Sequence, residues 1–99
     1  FEVQKMLQED ISKLSEKTLD IRRAIDSLRE EMEAVDNYNQ RADATKDENL
    51  KKILLHNSKE EKEHASMLIE WLRQNDSELS KELKDYLFSE EEDIASKEH

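Results

Sequence analysis

The sequence contains no glycine, no proline and no cysteine. Because glycine and proline are the residues that most often form tight turns between strands, their absence indicates an all-helical protein. The absence of cysteine excludes disulfides, thiolate zinc sites and thiol nucleophiles. It also fits a reducing compartment such as the cytoplasm.

Long apolar runs and an excess of basic residues are missing as well. No stretch approaches the ~20 consecutive apolar residues that cross a membrane, so we expect no membrane partner. The chain has 16 basic and 26 acidic side chains, for a net charge of -10. A surface that binds nucleic acid requires the opposite sign, which excludes nucleic acid as a partner. An acidic surface does attract cations, including divalent metals.

The 99 residues predict a single domain, residues 1–99, with a small core. Apolar residues make up 34% of the chain and charged residues 42%. This balance favours long helices with narrow apolar stripes. We predict an all-α fold of two long antiparallel helices, over about 1–40 and 45–74, followed by a short helix over 76–88 and a tail over 89–99.

The first predicted helix carries two neighbouring stripes. Apolar side chains recur at gaps of three and four in the first: Leu7, Ile11, Leu14, Thr18, Ile21, Ile25, Leu28, Met32 and Val35. The second stripe is Ala24, Leu28, Glu31, Val35 and Tyr38, in which Glu31 is the only charged residue. Beyond this helix, Thr45 and Glu48 predict a capping box at the start of the second helix. Asn75 and Asp76 predict the boundary before the third.

A carboxylate and an imidazole interrupt the stripe of the second helix, which is otherwise nearly all apolar. Its members are Leu50, Leu54, Asn57, Glu61, His64, Leu68 and Trp71. Glu61 and His64 project the same way from consecutive turns. Glu-x-x-His facing a bundle core is the ligand pair of ferritin-like di-iron proteins. Two alternatives stand beside this one: a solvated Glu61 next to a hydrogen-bonded His64, and Glu60 as the ligand in place of Glu61.

Glu31, Glu61 and His64 together make half of a di-iron ligand set, because the whole set needs two Glu and two Glu-x-x-His motifs from four helices. We therefore expect a symmetric homodimer that forms a four-helix bundle, since a two-fold interface supplies the same residues twice.

The segment from Glu30 to Asp36, with Tyr38, Gln40 and Arg41, is similar to the first-helix motif of the encapsulated ferritin family, and the resemblance covers about residues 20–90. The segments His56–Asn57, Glu60–Ala65 and Glu70–Arg73 are similar to its second-helix motif, and Tyr86–Phe88 to the end of its third helix.

The resemblance implies a ferroxidase that oxidises Fe(II) with oxygen and makes iron available for storage in an encapsulin shell in the cytoplasm. It implies that iron is held by Glu31, Glu61 and His64 between two protomers, and that the dimers form a ring. Glu30 and Glu33 match acidic positions where metal enters the site, and Tyr38 matches a tyrosine near the metals. Asn37 stands where other members carry an aromatic residue.

Family members reach the shell through a C-terminal targeting peptide or through fusion to the shell protein. We see no such peptide before His99 and expect either a fused or a trimmed chain. A different class of function remains open: a non-catalytic helical assembly module, or an oligomer that holds zinc or manganese without turnover.

Overall fold

The computed structural model describes residues 7–98 and is helical, with no β-strand in that range. Three α-helices follow one another: α1 (Glu16–Ala44), α2 (Glu48–Gln74) and α3 (Ser77–Tyr86). The long helices α1 and α2 pack together as an antiparallel hairpin, and α3 packs against α2. This confirms the predicted all-α fold of two long helices and one short one. None of the described helices is long and apolar enough to span a membrane.

The first long helix begins at Glu16, which corrects the predicted start at residue 1. Residues 1–6 lie outside the described residues, and Ile11–Lys13 form only a short 3-10 helix. Ser15 ends this segment with an extended backbone, and its hydroxyl accepts a hydrogen bond from the backbone N–H of Thr18. Short polar side chains favour such local bonds over a continuous helix. The apolar periodicity therefore runs through a helix boundary at Ser15.

The connection between the long helices is capped by Asp47. Its carboxylate accepts a hydrogen bond from the backbone N–H of Leu50 at 2.9 Å. Thr45 instead ends α1, and its hydroxyl accepts from the backbone N–H of Asp47. The predicted capping box of Thr45 and Glu48 is therefore wrong, because the side chain closer to the helix start takes the capping role.

The end of the hairpin follows the predicted pattern more closely. Asn75 terminates α2, and the Asp76 carboxylate caps α3 by accepting from the backbone N–H of Leu79. The third helix ends at Tyr86, and Phe88 is fully exposed with a φ of 56°. In the tail that we predicted over 89–99, Ile94–Lys97 form a second short 3-10 helix.

Small residues fill the interface between α1 and α2. Its buried members are Ala24, Val35 and Ala42 from α1, and Ser58, Ala65 and Leu72 from α2. The stripe that contains Glu31 therefore faces α2, whereas Ile25 and Met32 of the longer stripe are 40% and 51% exposed. Small side chains let two helices approach closely, and several larger apolar residues, such as Ile25 and Met32, remain exposed.

Candidate metal centre

Glu31, Glu61 and His64 meet in the middle of the hairpin. Glu31 lies near the centre of α1, and the antiparallel packing places it opposite Glu61 and His64, one turn apart on α2. His64 Nδ1 lies 3.4 Å from Glu31 Oε2 and 3.6 Å from Glu61 Oε2. One ligand atom from each residue lies within 4.8 Å of the other two. Within residues 7–98, this is the one group of three or more such side chains close enough to share a metal ion.

The three side chains are only partly covered. Their exposed fractions are 25% for Glu31, 23% for Glu61 and 44% for His64. They therefore lie at the edge of the α1–α2 interface, beside its buried seam. A metal ion bound there would keep coordination positions open toward the uncovered side of the hairpin.

One oxygen of the cluster has no hydrogen-bond partner. Glu31 Oε2 is shielded from solvent and accepts no hydrogen bond within the described part of the chain. Its approach to His64 Nδ1 is an ion-pair distance without hydrogen-bond geometry. Leaving a buried acceptor unpaired is costly, on the order of 1–3 kcal/mol. A cation between the three ligands would satisfy this oxygen, so the residues fit a metal ion.

The cluster also binds protons more tightly than isolated side chains would. A hydrogen bond with Glu61, burial and the repulsion of the Glu61 charge together raise the pKa of Glu31 above its ordinary value of 4.5. Burial lowers the pKa of His64, but the two carboxylates outweigh it, and the pKa ends above its ordinary 6.5. The nearby charge of Glu61 thus makes the ionisation of Glu31 less favourable. A metal ion would take the place of these protons.

Two carboxylates and one imidazole are ligands that suit iron, manganese and zinc. This set lacks any sulfur ligand, because the chain has no cysteine. Three ligands from one chain hold one ion at most, with positions left open. A two-metal centre needs ligands from elsewhere.

The structure separates Glu61 from its competitor Glu60. Glu60 Oε1 lies 3.3 Å from His56 Nε2, one turn earlier on α2. Its carboxylate therefore pairs away from His64, whereas Glu61 joins the cluster.

The remaining predicted residues lie outside the three-residue group. Glu30 and Glu33 are exposed on α1 on either side of Glu31. Tyr38 is partly buried, and the Arg41 guanidinium lies 5.6 Å from the centre of its ring. Tyr38 comes two turns after Glu31, which puts their backbones about 10 Å apart along the helix.

The sequence reasoning missed one polar pair. The Ser58 side chain is buried in the α1–α2 interface, and its hydroxyl donates a hydrogen bond of 2.7 Å to Asn39 Oδ1. The signal that could have found it is spacing: Ser58, Ala65 and Leu72 are seven residues apart and form the buried face of α2.

Known proteins are similar to this chain in sequence and in fold. The profile of the family described as EncFtn-like matches residues 6–90. The Encapsulated ferritin-like protein of Rhodospirillum rubrum is 52% identical over 82 residues, 83% of this chain and 59% of that protein. The Ferritin-like protein of Thermotoga maritima is 51% identical over 82 residues, 83% of this chain and 72% of that protein. The present chain thus spans less than two thirds of the Rhodospirillum protein.

A solved structure agrees with the sequence matches. The crystal structure of protein ne0167 from Nitrosomonas europaea superposes with a TM-score of 0.82 at 59% identity, covering 86% of this chain and 93% of that one. The chain belongs to the EncFtn-like family of encapsulated ferritins.

Proposed function

We propose that this protein is a ferroxidase that oxidises Fe(II) to Fe(III) at a di-iron site shared between two protomers. The observation that carries the proposal is the convergence of Glu31, Glu61 and His64 within 4.8 Å at an open edge of the hairpin. An iron-related role of this kind is consistent with a ferritin-like family.

Each residue has a distinct part in this reaction. The carboxylates of Glu31 and Glu61 carry negative charge, which stabilises Fe(III) more than Fe(II) and so favours oxidation. His64 adds a neutral nitrogen ligand once its proton has left. Each Fe(II) gives up one electron, and dioxygen, the oxidant we propose, takes up the electrons together with protons and ends as peroxide or water.

A second copy of the chain completes the ligand set. A two-fold axis beside the cluster would bring the partner's Glu and Glu-x-x-His to the same place and give the four-helix arrangement of a di-iron bundle. The hairpin exposes apolar side chains that such a partner can cover. These include Met32 on α1, and Leu50, Ile53 and Trp71 on α2. The uncovered edge and these apolar residues both support a dimer.

The surroundings of the cluster suit an iron substrate. Glu30 and Glu33 are exposed next to Glu31 and can attract Fe(II) toward the ligands. Tyr38 and Arg41 pack further along α1 and support the helix near the site. We propose that the dimers form a ring and supply Fe(III) for storage inside an encapsulin shell. The name of the Rhodospirillum relative, Encapsulated ferritin-like protein, supports this partner.

Oxygen consumption by the full chain after addition of Fe(II) tests the proposal, together with the growth of ferric absorbance. We expect Glu61→Gln and His64→Ala to lower the rate by about 100-fold, since each removes a metal ligand. Glu60→Gln is the matched control, because it removes the neighbouring carboxylate that pairs with His56 instead. Oxidation by His64→Ala at the rate of the unchanged protein would refute the proposed site.

A zinc- or manganese-binding oligomer is the second candidate, because the same donor set suits those ions. In that case zinc or manganese would raise the melting temperature, whereas Fe(II) under air would give no ferric absorbance beyond the protein-free rate. A mass and a melting temperature that ignore all three metals would instead favour a helical assembly module.

A further inference from the structure

We infer that the Ser58–Asn39 hydrogen bond positions Glu31 against Glu61 and His64 by fixing how α1 and α2 sit on each other. Ser58 is 1% exposed, and the other buried residues of the described chain are apolar: Ala24, Val35, Ala42, Ala65 and Leu72. The bond joins side chains from the two long helices at 2.7 Å. The inference rests on the proposed function and names the residues that hold its ligands in place.

The apolar part of the interface leaves the relative setting of the helices weakly defined. On the side of the cluster toward the connection, the buried residues are Val35 and Ala42 of α1, and Ser58 of α2. Side chains this small interdigitate little, so they tolerate a small rotation or shift between the helices. A polar group in a helix seam is the best-attested device for fixing register, because a shifted pairing leaves it buried without a partner.

The location of the bond suits this role. Asn39 follows Glu31 by eight residues on α1, and Ser58 precedes Glu61 by three residues on α2. At a rise of 1.5 Å per residue, the bond lies within about 12 Å of the cluster along either helix. The connection at Thr45–Asp47 decides which turns face each other, but it lies about 20 Å from Glu31 along α1. The hydrogen bond is therefore the nearer constraint on the ligands.

The site needs such precision. Productive geometry at a functional site is held to within about 0.5 Å, and a ligand that is misplaced by more loses affinity. Glu31 is the one ligand of the cluster on α1, so its distance from His64 depends wholly on how the two helices are set. Neither Ser58 nor Asn39 belongs to the cluster itself.

Anaerobic Fe(II) binding by the full chain, measured by equilibrium dialysis, is the first test. We expect Ser58→Ala and Asn39→Ala each to weaken binding by about tenfold, in the range seen for residues that orient metal ligands. The double variant should lose no more than either single one, because all three break the same bond. Asn39→Asp keeps an acceptor for the Ser58 hydroxyl and should restore the affinity.

Ser66→Ala is the matched control. The Ser66 hydroxyl donates to the Lys62 carbonyl of its own helix at 2.8 Å, so its loss leaves the helix setting unchanged. If Ser58 contributed to stability alone, Ser58→Ala would lower the melting temperature. At temperatures well below melting, the Fe(II) affinity of this variant would then equal that of the unchanged protein. That outcome, or additive losses in the double variant, would overturn the inference.

A second measurement is independent of metal. The chain has no cysteine, so spin labels can be placed through Asp36→Cys and Lys62→Cys, at exposed positions on the two long helices. In labelled chains diluted with unlabelled chains, Ser58→Ala should widen or shift the label distance by at least one residue rise, ~1.5 Å. An unchanged distance would overturn the inference even if iron binds. Absence of Fe(II) binding by the unchanged protein would count against the proposed function alone.

Discussion

Glu31 Oε2 and His64 Nδ1 lie 3.4 Å apart across the interface between α1 and α2. Glu61, one turn before His64, approaches the same nitrogen at 3.6 Å. These two contacts place the His64 imidazole between two carboxylates. The Glu31 carboxylate has a buried oxygen without a hydrogen bond. In the absence of a cation, this arrangement is costly for the fold.

Replacing Glu31 with Gln should stabilise the metal-free protein and abolish metal binding. Gln removes one of two repelling carboxylates and supplies an N–H₂ donor for Glu61, while it weakens the ligand set. We expect the melting temperature to rise by a few degrees in thermal unfolding with a chelator present. Glu33→Gln is the control, because it makes the same change in net charge at an exposed position. An equal rise in both variants would show that only the net charge matters.

The metal-free protein and the metal complex should respond to pH in opposite directions. The pKa values of Glu31 and His64 are raised on folding, so between the ordinary and the raised values the folded chain binds more protons than the unfolded one. The free energy of unfolding therefore falls as pH rises through that interval. The stabilisation that these two groups contribute is fully present only below their ordinary pKa values. Melting with a chelator should occur at a higher temperature at pH 6 than at pH 8.

Metal binding should strengthen over the same rise in pH, because the ion competes with the protons on Glu31 and His64. Calorimetric titration with Fe(II) under anaerobic conditions, in buffers with different ionisation enthalpies, would count the protons released. We expect a larger release at pH 6 than at pH 8, and a weaker affinity. A proton release that does not depend on pH would contradict the raised pKa values of Glu31 and His64.

The amount of bound iron should reflect a site shared between two chains. Protein incubated with Fe(II) and freed from excess should retain about one iron per chain, or about two per dimer. Its mass in solution should grow with metal loading, and Glu61→Gln should block both changes. Two or more tightly held iron ions per monomer of unchanged mass would rule out an intersubunit centre.

The cap of α2 offers a prediction for the fold alone. Asp47→Ala should destabilise the protein by about 1 kcal/mol, because the backbone N–H of Leu50 loses its acceptor. Asp47→Ser should recover most of that loss in denaturant unfolding. Thr45→Ala should lower the stability less than Asp47→Ala does. The opposite order would indicate that Thr45 and Glu48 form the capping box.

Repeating patterns predicted the helices and the shared direction of the ligand side chains, but not which apolar stripes are buried, since Met32 of α1 and Leu50 of α2 are exposed. The spacing of Glu61 and His64 on α2 put both on one side of the helix, and the stripe of α1 that holds Glu31 turned out to face α2. A helical period carries this information because it fixes the direction of every side chain. The helix ends were harder, since Ser15 and Asp47 each stop a helix through one local hydrogen bond that the apolar pattern does not contain.

The choice among neighbouring carboxylates and the contact between Ser58 and Asn39 depended on three-dimensional packing. From spacing alone, Glu60 and Glu61 could both reach His64; the structure pairs Glu60 with His56. The partner of Ser58 comes from the other helix, and only the relative setting of α1 and α2 decides that it is Asn39. Local sequence does not encode such a setting, which is why this contact escaped prediction.

The small buried surface between α1 and α2 affects how much of the protein is folded in a cell. Three of its five buried apolar residues are alanines, so the hairpin hides little surface that would drive folding by itself. A helix pair of this kind owes its stability to whatever covers its outer faces. In the dimer that we propose, folding would obey mass action: dilute chains would unfold and become accessible to proteases, whereas concentrated chains would protect one another. Abundance would thus act as a quality check, and metal sites would be built only where enough chains are present to complete them.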